Sequence, residues 1–234
     1  NGRSNGLAAR IFGTRAAARV AEEHPGDYVF FSNEVPDLAG GIGEMELWLK
    51  RGACGIGEMK YALACDGAEM RKVYDLAKEY DVPVLLHFQY GMYNEGFERF
   101  HKILEAYPTV NFIGHAQTWW GNVDANHEKA AMYPGWRVTP GGLTERYLSD
   151  YPNMYGDLSA GSGLNAMLRD TEFVERFFYR HQDKLCLGTD CSDAYGAGGG
   201  CSGARMIETV RRWVPDEDAR AKIMSGNARR IIRL

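Results

Sequence analysis

Apolar residues along this chain fall into two alternating patterns. Short runs rich in Val, Ile and Leu, about four to eight residues long, read as buried strands, and stretches with apolar positions three and four apart read as amphipathic helices. The clearest case spans Val82 to Ala116, where VPVLLHF is followed by GFERFHKILEAYP and then by VNFIGHA. The middle piece sets Phe97, Phe100, Ile103, Leu104 and Tyr107 on one helical stripe. Strand, helix and strand then form a unit whose two strands must run parallel. Each strand ends in a histidine, His87 or His115. Side chains alternate along a strand, so Leu85 and His87 share a face, as do Ile113 and His115, while Val84/Leu86 and Phe112/Gly114 take the other. Two imidazoles thus leave the C-terminal ends of parallel strands, where folds of this class bind ligands.

The same alternation runs through the rest of the chain. Strands are predicted to begin at 28, 53, 82, 110, 153 and 184, a spacing of about thirty residues that suits one strand and one helix per repeat. Further helices are predicted over 7–23, 44–51, 68–80, 172–180, 205–213 and 216–230. Strict alternation means a parallel α/β sheet, either closed into a (β/α)8 TIM-like barrel or open and doubly wound. No Gly-x-Gly-x-x-Gly follows a first strand, and polar residues end several consecutive strands; both favour the barrel. A barrel needs eight strands and about 250 residues, whereas six strands are legible in these 234 residues. The expectation is one barrel domain over 1–234, N-terminally truncated, with the first two strands upstream of Asn1.

Composition narrows the possible partners. With 45% hydrophobic residues in 26.2 kDa, the chain has material for a single large core. A formal charge of −4 and a pI near 5.9 give no electrostatic reason to expect nucleic acid or an anionic membrane. No apolar run approaches the roughly eighteen residues of a membrane span. Five cysteines without C-x-x-C spacing suit reduced thiols, and hence a cytoplasmic setting, although a signal peptide upstream would not be visible here. Exposed barrel flanks would favour self-association into a homo-oligomer.

Candidate chemistry gathers at the strand ends: Asn33/Glu34, Glu58/Lys60, His87, His115, Asp157/Ser159 and Asp190. A barrel would bring His87, His115 and Asp190 around its mouth. Imidazole nitrogen and carboxylate oxygen are the donors that zinc and related divalent ions accept, and three of them with an open position describe a catalytic site. Asp157 and Ser159 are expected to support that site by hydrogen bonds. The connection 117–150 carries Trp119, Trp120, Tyr133 and Trp136, and its length suggests a lid whose tryptophans contact a flat or apolar small-molecule substrate. The glycine-rich stretch 194–203 reads as a flexible linker, Cys191 and the Phe177–Phe178 pair as packing, and His101, His127 and His181 as solvated.

VLLHF, FIGHA and LGTDCSD, in this order and each at a strand terminus, resemble the amidohydrolase superfamily. More narrowly they resemble its amidohydrolase-related (amidohydrolase 2) branch, which also contains the aminocarboxymuconate semialdehyde and resorcylate decarboxylases. The closing IMSGNARRIIRL is similar to that branch's last helix. The resemblance implies that His87 binds a divalent metal, zinc with manganese as the other choice. It also implies that His115 is a second ligand or a catalytic partner, and that Asp190 touches both metal and attacking water. Glu58 would be the carboxylate ligand some members add, ahead of Lys60. It implies hydrolysis of an amide, ester or lactone, with non-oxidative decarboxylation as the alternative. The family's opening His-x-His is missing from 1–234, where His24 stands alone near a turn, so a metal-free barrel serving as a binding module is a third reading.

Overall fold

The structure, a computed structural model, describes residues 13–191, 193, 195–196 and 200–234. Residues 7–12 of the helix expected over 7–23, and part of the stretch 194–203, lie outside the described residues. Helices α1 (Gly13–Glu23) and α2 (Gly41–Lys50) precede strand β1 (Ile56–Met59). The order continues α3 (Ala68–Tyr80), β2 (Val84–His87), α4 (His101–Ala106), β3 (Phe112–His115), α5 (Ala116–Gly121), α6 (Leu143–Asp150) and β4 (Met154–Asp157). Helices α7 (Ala160–Leu168) and α8 (Thr171–His181), strand β5 (Leu185–Cys186), and helices α9 (Ser202–Trp213), α10 (Glu217–Ala221) and α11 (Asn227–Ile232) complete the chain.

Among the described residues the five strands are all parallel and lie side by side in sequence order. That is the sequential order of a TIM-type barrel, without the reversal that marks a doubly wound sheet. The β2–β3 pair is in perfect register, with His87 opposite His115. Val84, Leu86, Phe112 and Met154 turn one way, into a dry layer beneath the helices, and all are fully buried. Leu85, Ile113, Tyr155 and Cys186 turn the other way and meet Ala228 and Ile231 of α11 in a second, smaller cluster.

Several expectations change. The strand predicted from residue 28 is reduced to a short rung at Phe30 and Ser32: Phe30 O accepts from Cys54 N (3.0 Å), and Ser32 donates to Gly55 O (2.8 Å) and accepts from Gly57 N (2.8 Å), while Tyr28 and Val29 are exposed. The strand predicted over 184–191 stops after two residues, because the chain draws in at Gly188, where a Cβ would stand 2.1 Å from Asp157 Oδ1. The connection 117–150 contains two helices and buried residues such as Val123 and Asp124, so it is packed structure. Helix α7 (AGSGLNAML) has no charged face to reveal its period; it is a small-residue helix sunk between α5 and α9. His181 is 2% exposed, packed 4.8 Å from the Phe177 ring, and not solvated.

The free edge of β5 is covered by the chain's own end. Asn227, fully buried, donates through Nδ2 to Leu185 O (2.7 Å) and Gln182 O (2.7 Å). Leu187 N donates to Ile223 O (2.9 Å), a carbonyl in the widened π-helical turn Lys222–Gly226 that precedes α11. An exposed strand edge is a template for unwanted pairing, and here a helix satisfies it.

Candidate metal centre

Three adjacent strands deliver the candidate ligands. His87 and His115 end β2 and β3 on the inner face, both 4% exposed, with ring centroids 5.2 Å apart. Glu58 arrives there through a bulge: Ile56 pairs with Val84 but Met59 pairs with Leu86, so three steps on β1 oppose two on β2. The extra residue lets Ile56 and Met59 both point into the outer core and leaves Glu58 facing inward. Gly57 makes this possible, with φ +147° and a Cβ position only 2.7 Å from Leu85 Cβ.

Glu58 Oε1 lies 2.5 Å from His87 Nδ1 and 3.5 Å from His115 Nε2, and the three donor atoms all fall within 4.8 Å of one another. Donors around a tetrahedral ion at 2.0–2.2 Å stand roughly 3.4 Å apart. The Glu58–His115 spacing already fits that figure, while the Glu58–His87 contact is a hydrogen bond that an ion would replace. Two imidazole nitrogens and one carboxylate oxygen, with no thiolate, form a set suited to zinc or manganese. The arrangement supports a divalent metal at this position.

A supporting shell fixes each donor. His115 Nδ1 faces Asp157 Oδ2 (3.0 Å) and Ser159 Oγ (3.1 Å), and Ser159 Oγ in turn donates to Asp157 Oδ2 (2.5 Å). This turns Nε2 toward Glu58. His87 Nε2 meets Gln89 Oε1 at 3.0 Å. Asn94, 1% exposed, donates through Nδ2 to both Met59 O (2.6 Å) and His87 O (2.8 Å), clamping the ends of β1 and β2 together. Asn33 donates through Nδ2 to Glu58 O (2.7 Å), and its Oδ1 accepts from Tyr61 OH (2.9 Å). Neither Gln89 nor Asn94 stands at a predicted strand end. Gln89 continues the phase of His87 by two residues, but Asn94 follows a turn and carries no local signal.

The electrostatics favour an ionised cluster. Burial pushes the Glu58 carboxyl up, but the His87 hydrogen bond and the nearby His115, His87 and Lys60 charges overcome it and bring it down to about 2. Burial opposes the charged form of His115, yet the Asp157 hydrogen bond and charge, with Glu58 and Asp190 behind it, raise its pKa above the ordinary imidazole value. Asp190 is raised, chiefly by burial and then by the Glu58 and Asp157 charges against the opposing His115.

Asp190 lines the same cleft, of about 340 Å³, with Glu58, His115, Asp157 and Ser159. It stands outside the close ligand set because β5 ends at Cys186 and Asp190 lies on the turn beyond, with φ 43°. Ala116 and Ala160, at the ends of β3 and β4, also take left-handed backbones (φ 80° and 64°). Non-glycine residues in that region cost energy and gather at functional sites. Trp119 and Trp120, expected at the mouth, are 0% and 1% exposed and belong to the outer core. Gly114 and Gly156 leave the slot that Trp119 fills: a Cβ at Gly114 would lie 2.4 Å from its ring. Lys60 Nζ sits 5.6 Å over the Tyr93 ring.

The profile of the family described as amidohydrolase matches residues 14–234. No curated protein matches this sequence closely enough to count as a relative. Solved structures share the fold. An uncharacterised TIM-barrel protein from Bordetella bronchiseptica aligns with a TM-score of 0.68 at 15% identity, over 97% of this chain and 75% of that one. A Pseudomonas putida protein described as a 2-pyrone-4,6-dicarboxylic acid hydrolase gives 0.62 at 15% identity, over 94% and 77%. A dihydroxybenzoic acid decarboxylase from a Polaromonas species, with bound manganese and the inhibitor 2-nitroresorcinol, gives 0.56 at 15%, over 94% and 74%. The chain belongs to the amidohydrolase family.

Proposed function

We propose that this amidohydrolase-family chain is a metal-dependent hydrolase acting on an amide, ester or lactone bond of a small molecule. The observation that carries the reading is the buried Glu58–His87–His115 set on three adjacent strand ends, within 4.8 Å of one another and opening onto a cleft. Those three residues would hold the ion, zinc or manganese. When bound, a divalent ion there supplies Lewis acidity toward a substrate oxygen and makes water acidic enough to ionise near neutral pH. His115, held at Nδ1 by Asp157, presents Nε2 as a donor toward the same position as Glu58. Asp190, its carboxyl raised above its ordinary value chiefly by burial, takes a proton from the attacking water and returns it to the leaving group. Met92 and Met132, both exposed, lie on the His87 side, where Gln89 Nε2 reaches Met92 Sδ (2.9 Å) and Met132 Sδ (3.7 Å). They replace Trp119 and Trp120 as the surface for a flat, apolar substrate.

A second reading, non-oxidative decarboxylation, is favoured by the likeness to the manganese-bearing decarboxylase. There Asp190, which lines the cleft outside the ligand set, would deliver a proton to the carbon that loses carbon dioxide. Elemental analysis after exhaustive dialysis tests the shared premise. Stoichiometric zinc or manganese in the native protein, lost in Glu58→Gln and His87→Ala variants that remain folded, supports it; no retained metal overturns it. Turnover of a lactone, ester and amide panel, set against carbon dioxide release from hydroxybenzoates, then separates the two reactions, and Asp190→Asn should abolish either.

A further inference from the structure

Two of the five cysteines face each other beside the candidate centre. Cys191, next to Asp190 and partly exposed, lies with Sγ 3.2 Å from Sγ of Cys201, which is 3% exposed. Cys54, Cys65 and Cys186 sit elsewhere in the fold, the last two buried. The approach is held by contacts that do not involve the sulfurs. Ser202 Oγ donates to Thr189 O (2.9 Å), and Gly203 packs so tightly on Thr189 that a Cβ there would meet its Cγ2 at 2.7 Å. The start of α9 is thereby docked against the turn that carries Asp190. Cys201 also occupies the position just before α9, where its sulfur accepts Ala204 N (3.3 Å). A disulfide needs sulfurs about 2.05 Å apart, an approach of roughly 1.2 Å from the observed 3.2 Å. The residues between them include AYGAGGG, a composition that accepts ring closure.

We propose that Cys191 and Cys201 are an oxidation site, a vicinal thiol pair that a hydroperoxide converts to a reversible disulfide tying the Asp190 turn to the N-terminus of α9. The chemistry balances with hydrogen peroxide as oxidant. The accessible Cys191 sulfur attacks one peroxide oxygen, giving the sulfenic acid and one water. The Cys201 sulfur then attacks the Cys191 sulfur, forming the S–S bond and releasing the second water. Two thiols are oxidised, one peroxide is reduced, and a dithiol reverses the bond by exchange. The inference stands whether or not the site binds metal.

Trypsin gives a direct readout, because Leu185–Arg205 is a single peptide carrying Cys186, Cys191 and Cys201. Folded protein treated with stoichiometric hydrogen peroxide, then denatured, alkylated and digested, should yield this peptide with one alkyl label, on Cys186, in place of three. Dithiothreitol should restore all three. Cys201→Ser keeps a helix-capping side chain and should give no disulfide, with dimedone trapping the sulfenic acid at Cys191. Three labels after peroxide, or label loss spread equally over Cys186 and Cys65, would overturn the proposal. So would the same pairing preference in urea, which would show that the fold does not create it.

Discussion

The two faces of one sheet have opposite characters. On the outer face Val84, Leu86, Phe112 and Met154 are fully buried, and the aromatic rings of Phe88, Phe97, Phe100, Trp119 and Trp120 pack edge-on to one another over them. On the inner face the same strands offer Leu85, Ile113 and Tyr155 and then, at their C-terminal ends, Glu58, His87, His115 and Asp157. Neighbouring residues in the sequence thus serve unrelated ends. The outer face holds the chain together chiefly through apolar burial. The inner face confines charged groups, each needing a partner of its own, because an unpaired buried charge is costly. Substitutions should separate along this line, with outer-face changes unfolding the protein and inner-face changes leaving it folded but altering what it binds.

The largest effect is expected at Trp119. Trp119→Ala empties the slot over Gly114 and Gly156 and should cost about 3–5 kcal/mol, read as a lower urea midpoint with an unchanged m-value. A loss below about 1 kcal/mol would mean that this layer does not carry the fold. His181 comes next and supplies a pH signature for the same face. Burial, then the Arg180 and Lys184 charges, depress its pKa to about 4 from a reference of 6.5. The folded state therefore keeps it neutral while the unfolded chain protonates it first. Its contribution is complete above about pH 6.5 and is lost as the pH falls toward 4, on the order of 3 kcal/mol in all. His181→Phe should flatten that part of the stability–pH curve, and an identical curve in the variant would refute the assignment.

Inner-face effects should be smaller in stability and larger in binding. Asp157→Asn removes the charge that orients His115 and should weaken metal affinity about 10–100-fold, equivalent to about 1.4–2.7 kcal/mol, measured by competition with a chromogenic chelator. Unchanged affinity would show that Asp157 does not position His115. The smallest change is expected for Ile113→Val, one step below His115 on the inner face, at about 0.5–1.5 kcal/mol of stability with metal affinity untouched. A large loss of metal there would blur the division between packing and chemistry on this face.

Much of this was legible from the order of residue types. Helix α3 runs over 68–80 as its periodicity predicts, because Met70, Val73, Tyr74 and Ala77 fall on one stripe. His87 and His115 share one phase and meet Glu58 on the same side, as alternation along β2 and β3 requires. The short-range pattern was less informative where small residues replace it. Helix α7 has too few charged positions to show its amphipathicity, and β5 is cut short by a contact between Gly188 and Asp157 that is remote in sequence. Trp119 and Trp120 show the same gap from the other side, since an aromatic pair after a strand fits a lid or a core equally well until Gly114 and Gly156 are seen to form its slot.

Local sequence determined which residues alternate, and with that the parallel strands, the covering helices and the two histidines at their ends; these depend on backbone geometry that repeats every two or 3.6 residues. Tertiary structure decided what the alternation cannot encode. The bulge at Gly57 turned Glu58 inward, Asn94 clamped two strand ends, Asn227 closed the edge of β5, and Cys191 came to rest against Cys201. Each of these joins groups from different elements, and such meetings are fixed only when the whole core has packed.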